Sequence, residues 1–306
     1  MGYAAYEQSD NYDDGLAAAY DAFHLDVTDA YDAAMQNADN TAGLSVLEQL
    51  ANDLGLAIDQ FLMSSKLDLV VTWETETCSA SGANDETTSS ACKGHVVHDS
   101  GLLSTLQEDI FNAKKTNLHD KGEAGEQDAV ANITSFATEL AGYIHTYTKD
   151  HAIVTKSDTT AGTSAPGSGN SGGSIATDGE GDGEGEGGTA TGLTAGADSD
   201  LDAAIKDAYI EAMEAGAAPS GSYADLSNPD ATDSDKLSLA KDEIVNKILA
   251  KGVCDGIRAY FESVTVITTD EKTDGRTVSG NSNVSSGATV PSETDGCSGS
   301  GTGTLS

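Results

Sequence analysis

The chain has 306 residues, with 51 Asp and Glu against 15 Lys and Arg, which gives a net charge of −36. This balance excludes most nucleic-acid binding and disfavours docking on anionic membranes, because both need clusters of Lys and Arg. With only 10 Tyr, 5 Phe and 1 Trp, the cores are expected to be small and aliphatic.

Two amphipathic helices and a short strand are predicted at the start of the chain. Apolar residues recur at steps of three and four from Leu16 to Tyr31, which predicts a helix over 15–36. A second amphipathic stretch predicts a helix over 43–64, and Leu69–Thr72 is β-branched enough to predict a strand. A Ser/Thr/Gly-rich tail follows.

This first tail carries the strongest candidate site. Cys78 and Cys92 flank a Ser/Thr/Gly-rich stretch, and a disulfide closing that hairpin would contribute about 3 kcal/mol by chain entropy. The alternative adds His95 and His98 as a zinc site of the form Cys-x13-Cys-x2-His-x2-His. On a strand the two histidines would point to opposite faces, which favours the disulfide or free thiols.

The same order of elements recurs twice along the chain. Two further helix pairs lead into the β-branched segments Ile153–Thr155 and Val266–Thr268. Gly252 and Gly256 are expected to interrupt the last helix. The predicted helices are 101–115, 125–148, 200–215 and 235–262.

We therefore expect an α+β, mainly helical fold of three weakly similar helix–helix–strand units with Gly/Ser/Thr-rich extended tails. Two helices and a strand bury little apolar area alone, so the units should pack on each other or on copies in other subunits. The predicted domains are 1–99 with the cysteine hairpin, 100–197 with an acidic Gly-rich linker, and 198–306 with the C-terminal tail.

The tails of the second and third units are polar. Residues 156–199 have the composition of a flexible linker, and ordering them would need partner chains or cations. Their acidic Gly-rich run, 178–188, lacks the ligand order of an EF-hand, so weakly bound cations are expected and no cofactor. Residues 269–306 are expected to form a hairpin, and Cys254 and Cys297 are a second candidate disulfide.

No catalytic residues are predicted. Gly169–Ser174 is similar to the nucleophile loop of chymotrypsin-like proteases, but the helical context does not fit those proteins, and catalysis needs a base within hydrogen-bond reach. The histidines at 24, 119, 145 and 151 form no cluster in the sequence and are expected to be surface or packing residues. We expect no enzyme.

The acidic residues are spread along the whole chain, which indicates adaptation to a solvent rather than a local interaction tail. Together with few Lys and much Ala, Thr, Ser and Gly, this composition is typical of haloarchaeal proteins. The start of the chain, Met1–Glu7, has no basic region followed by an apolar stretch, so a signal peptide is not expected. No window approaches the ~18 apolar residues of a membrane helix.

The helix-to-strand segment Ile257–Thr268 and the terminal tail Gly301–Ser306 resemble small proteins encoded among the head and tail genes of tailed bacterial and archaeal viruses. Those proteins are generally single units, whereas this chain would hold three. The resemblance implies a non-enzymatic virion protein of a halophilic tailed virus. Such a protein is assembled in the host cytoplasm with other virion proteins, in several copies or as a homo-oligomer.

Placement in the particle is left open by these residues. A capsid-attached decoration protein or minor capsid protein is the first expectation. The alternatives are a neck, tail or baseplate component, or a cell-envelope or appendage protein of a haloarchaeon. A hydrolase or metal enzyme would need clustered ligands, and only the residues of the candidate zinc site approach that.

Overall fold

A computed structural model describes most of the helical sequence and many strands. Side chains are described mainly in the helices and at the strand ends next to them. The described residues are 15–38, 43–73, 89–121, 128–157, 160–164, 167–168, 174–175, 179–186, 189–191, 193–194, 198–217, 234–283, 289–294 and 298–305.

Six α-helices dominate the described residues, so the α+β, mainly helical prediction is confirmed. Two helix starts are fixed by aspartates: Asp99 accepts hydrogen bonds from the backbone of Gly101 and Leu102, and Asp128 accepts one from Ala131. One π-helical turn, Lys115–Asp120, follows the third helix. The helices are α1 (Gly15–Ala38), α2 (Gly43–Met63), α3 (Ser100–Lys114), α4 (Ala129–Asp150), α5 (Asp198–Ala217) and α6 (Ser234–Glu262).

The helices are arranged in a closed ring. Each one packs against the next along the chain, and α6 packs against α1. All six contribute to one continuous hydrophobic core, which also includes strand residues such as Leu67, Val96, Val266 and Leu305. The helix pairs therefore bury their apolar faces against each other within one chain, the first of the two packing modes that the sequence allowed.

Strands from distant parts of the chain pair with one another, and all of these pairings are antiparallel. Their bounds are β1 (Leu67–Trp73), β2 (Ser89–Val96), β3 (Ala152–Ser157), β4 (Thr160–Ser164), β5 (Gly167–Ser168), β6 (Ser174–Ile175), β7 (Gly179–Glu186), β8 (Thr189–Thr191), β9 (Leu193–Thr194), β10 (Thr265–Asn283), β11 (Thr289–Thr294) and β12 (Ser298–Leu305).

Part of this sheet closes on itself. β2 pairs with β1 on one side and β3 on the other, and β12 lies between β10 and β1. The remaining gap is bridged by β8, which pairs with β3, and β9, which pairs with β10. The segments thus form a barrel-like circuit whose helix-facing end joins the core, since Leu67, Val96, Val266 and Leu305 are buried.

Beyond the circuit, β10 continues and pairs with β7 and β11, and β7 pairs with β4. The predicted C-terminal hairpin is thus formed by β10 and β11. The described strands within 156–199 all pair with other strands of the same chain, and the linker assignment of this range stays a prediction. β5 and β6 form a separate two-stranded sheet.

Gly252 and Gly256 do not interrupt the last helix, as the sequence led us to expect, because α6 runs through both. They allow α6 to approach α5 closely. A Cβ atom on Gly252 would lie 2.5 Å from Cβ of Ala208, and one on Gly256 would lie 2.7 Å from Cβ of Ala204. The packing requirement at this helix pair therefore outweighs the low helix propensity of glycine.

Candidate functional site: a buried polar cluster between α2 and α4

The predicted cysteine and histidine site is only partly described. Cys78 lies outside the described residues, and the side chains of Cys92 and His95 are likewise not described. On the backbone, Cys92 lies opposite Leu69 and His95 lies opposite Val154. Both the disulfide and the zinc alternatives therefore stay predictions.

His98 lies just beyond the end of β2 and has a different partner from the one predicted. Its Nδ1 atom is 3.1 Å from Oδ1 of Asp59, and its side chain is 49% exposed. Across the described side chains, no group of three or more His, Cys, Asp or Glu is arranged to hold a metal ion.

Asp59 is the buried centre of a polar cluster, which we call the Asp59 cluster: Asp59, His98, Tyr147 and His151. Asp59 is 4% exposed, and its Oδ1 atom also accepts a hydrogen bond of 2.6 Å from the hydroxyl of Tyr147. Burial, together with the neighbouring Asp59 carboxylate, raises the pKa of Tyr147 well above its usual value, so this hydroxyl stays protonated as a donor.

His151 completes the cluster at the junction of α4 and β3. It is fully buried, and its Nδ1 lies 2.7 Å from the carbonyl oxygen of Tyr147, to which it donates as the neutral ring. The ring packs edge-on to Tyr147 with centroids 4.4 Å apart. Its Nε2 atom is buried without a hydrogen-bond partner among the described residues.

The members of the cluster are titratable groups, and their hydrogen bonds are made mainly to one another. It links α2 of the first helix pair to α4 of the second, at the level where the helices meet the strands. Desolvation lowers the pKa of His151, which favours the neutral imidazole. The arrangement therefore joins the two helix pairs through the hydrogen bond from Tyr147 of α4 to Asp59 of α2.

This shift predicts a pH-dependent stability. The His151 pKa is lower in the folded than in the unfolded chain, so the folded state binds protons less readily below the ordinary histidine pKa of about 6.5. Stability should fall as the pH drops from 7.5 to 5, and the fall should be shallower in His151→Gln. Denaturant melts of both proteins across this range measure the slopes, and equal slopes would contradict the assignment.

A second buried polar group lies in the middle of the helix ring. Lys114 is 3% exposed, and its Nζ atom donates a hydrogen bond of 2.6 Å to the hydroxyl of Tyr209. The ammonium also lies 5.4, 4.8 and 5.0 Å from the ring centroids of Tyr31, Phe136 and Tyr209. These distances are within the range of cation–π attraction. We call these four residues the Lys114 cage.

The second candidate disulfide is half described. Cys254 of α6 is fully buried and has no disulfide partner among the described residues, and burial raises the pKa of its thiol. Cys297 lies outside the described residues, so a pairing between the two stays a prediction.

Sequence reasoning missed both polar groups. Asp59 follows Ile58 within the apolar periodicity of α2, and Lys114 follows Ala113 in that of α3, so each is a charge inside a buried face. That mismatch was the available signal. His151 was expected to be a surface or packing residue; it is buried, and its ring packs against Tyr147.

Comparisons with known proteins return no relative. No family model matches the chain, and neither the curated proteins nor the solved structures contain a match. Within the described residues, no helix has the length and apolar character needed to cross a membrane.

Proposed function

We propose that this chain is a single-chain pseudo-trimer: three helix–helix–strand units in one ring, acting as a non-enzymatic structural protein of a halophilic virus particle. The units are α1–α2–β1, α3–α4–β3 and α5–α6–β10, each followed by its tail strand. The observation that carries the proposal is the closed ring of three helix pairs around one core.

Corresponding residues of the second helices support the repeat. In every set the first and second members are 86 residues apart and the second and third are 113 apart, and all of these residues are buried. Such agreement over several turns is typical of diverged copies of one unit. The sets are Ala51, Ala137 and Ala250; Leu54, Leu140 and Val253; Ile58, Ile144 and Ile257; and Phe61, Tyr147 and Tyr260.

Corresponding residues of the first helices also keep fixed spacings, which are 83 residues from the first to the second unit and 95 from the second to the third. Again all members are buried, and their chemistry is similar in each set. The sets are Phe23, Leu106 and Leu201; Val27, Ile110 and Ile205; and Ala30, Ala113 and Ala208.

Contacts between units repeat around the ring in the same sense. Tyr147 of the second unit donates to Asp59 of the first, and the hydroxyl of Tyr260 of the third unit lies 3.0 Å from Nδ1 of His145 of the second. Tyr147 corresponds to Tyr260, and Asp59 corresponds to His145. At the third interface the tyrosine position is Phe61, which has no hydroxyl.

The strands follow the same rotation. In the first and third units one tail strand, β2 or β12, pairs with the strand of its own unit and with that of the next unit. In the second unit β8 makes the first of these pairings and β9 the second. The pairing register is also the same in the three units. Leu67, Ile153 and Val266 are separated by the same two intervals as the second helices, and each lies opposite a small residue of its own tail: Gly94, Ala190 and Gly303. Three equivalent pairings of this kind are the arrangement expected of a closed cyclic trimer.

A single chain of this design can occupy a position where three separate chains would otherwise assemble. Threefold and pseudo-threefold positions recur on viral capsids, which favours a capsid-attached decoration protein or minor capsid protein with other virion proteins as partners. The net charge of −36 supports a role in concentrated salt, because salt screens the repulsion between the acidic residues.

Mass spectrometry of purified halophilic virus particles, with heads separated from tails, tests the placement. The chain is expected in the head fraction. Recovery only with tails or baseplates would overturn the capsid placement, and recovery only with cell envelopes would overturn the virion proposal. Turnover of a substrate that is lost in His98→Ala would overturn the non-enzymatic assignment.

The pseudo-trimer itself is tested by circular permutation. A chain that begins at residue 198, runs through Ser306 into Met1 and ends at residue 197 keeps all three units intact and keeps each next to its neighbours. It should melt cooperatively and retain the helical circular dichroism of the parent. A control permuted between Ile144 and His145 cuts α4 and should not fold. Failure of both would contradict the three-unit ring.

A further inference from the structure

The Lys114 cage lies where the first helices of the three units meet. Alternate members of the ring, α1, α3 and α5, contribute Tyr31, Lys114 and Tyr209, and these three side chains contact one another. The hydroxyls of Tyr31 and Tyr209 are 3.0 Å apart, and the ammonium bonds to that of Tyr209. Phe136 of α4 adds the third ring.

The three axial residues occupy corresponding positions. Tyr31, Lys114 and Tyr209 directly follow Ala30, Ala113 and Ala208, one of the sets that relate the first helices. Two units therefore place a phenol at the axis and one unit places an ammonium there. Within this set, the second unit alone carries a charged side chain.

We propose that Lys114 limits each ring to one copy of the second unit, a proposal that rests on the pseudo-trimer described above. A ring with one copy of each unit brings the ammonium to two phenols and three aromatic faces. In a ring where units from two chains are exchanged so that two copies of α3 meet at the axis, two ammonium groups would face each other without water.

Two physical arguments support this role. A buried ammonium is costly unless it is paired, so a ring in which a second ammonium replaces one of the two phenols loses a partner and gains a like charge. The cage also uses aromatic residues rather than a carboxylate, and burial raises the pKa of Tyr31, which keeps that phenol neutral. A neutral cage holds a cation without adding a second buried charge.

Refolding of Lys114→Met tests the proposal. Methionine has a similar volume and no charge, so the variant is expected to keep or raise the melting midpoint. It should no longer discriminate against rings that contain two copies of the second unit. After refolding from denaturant in molar KCl, light scattering with size exclusion should show oligomers exchanging units, where the parent gives one species. Lys149→Met, on the exposed face of α4, is the matched control and should refold like the parent. A single, parent-like species for Lys114→Met would overturn the proposal.

A second variant covers the case in which Lys114→Met does not fold. Lys114→Ala leaves an aromatic cage without its cation, and added ethylammonium should raise its melting midpoint more than the parent's. Equal concentrations of 1-propanol, of similar size but neutral, should not. Equal effects of the two additives would overturn the cation role. The circular permutant keeps Lys114, so its failure would count against the pseudo-trimer and not against the cage.

Discussion

Lowering KCl from 1 M to about 0.1 M is expected to reduce the melting midpoint on the order of 10 °C. The Debye length increases from about 3 to about 10 Å over this range, so the repulsion between carboxylates, which is screened at 1 M KCl, becomes significant. With a net charge of −36 and only 15 basic residues, the compact state carries most of that repulsion. Each kcal/mol lost shifts the midpoint of a domain of this size by about 2–4 °C.

The measurement is a series of thermal melts by circular dichroism at fixed pH. Sucrose at matched osmolality is the control, because it strengthens burial without screening charge. A midpoint that does not change with KCl would contradict adaptation to salt. A midpoint that rises equally with sucrose would assign the effect to exclusion of solutes from the surface.

Gly252→Ala is expected to destabilise the protein by ~1–3 kcal/mol, although alanine is the better helix former. A Cβ at this position would lie 2.5 Å from Cβ and 3.2 Å from Cα of Ala208. Because one of these atoms belongs to the backbone, α5 and α6 would have to move apart along a well-packed interface. Urea melts give the free-energy change directly.

Gly142→Ala is the matched control, since Gly142 also lies inside a long helix but nothing is within 4 Å of a Cβ placed there. Here only the helix propensity changes, and the free energy of unfolding of the variant should rise by ~0.5–1 kcal/mol. Changes of the same sign in both variants would show that close approach of α5 and α6 does not decide the cost.

The helices were predictable because their apolar residues recur with a helical period and each first or last turn is close to the predicted limit. α1 was predicted as 15–36 and is Gly15–Ala38; α6 was predicted as 235–262 and is Ser234–Glu262. Local periodicity was sufficient there because the buried face of each helix is continuous.

Strand pairing was not predictable in the same way. β12 lies beside β1, and the two are separated by most of the chain, so no local pattern carries that contact. Gly-rich segments such as β7 also lack the β-branched residues that mark a strand. Their backbone is paired within the chain despite a composition that indicates a linker.

The Asp59 cluster and the Lys114 cage were hidden for a related reason. Tyr147 and Asp59 are 88 residues apart in sequence, and Lys114 and Tyr209 are 95 apart. The sequence places each charged group on a buried face, but which partner neutralises its burial depends on how the helix pairs are arranged around the ring. That arrangement is a tertiary property.

The position of β12 has a consequence for biosynthesis. This strand fills the space between β10 and β1, so the circuit of strands stays open until residues 298–305 have left the ribosome. Until then β1 and β10 each present an unpaired edge, the kind of edge that pairs with other chains. The circuit therefore closes only once β12 has been made, and chains that lack this strand should associate through the edges of β1 and β10.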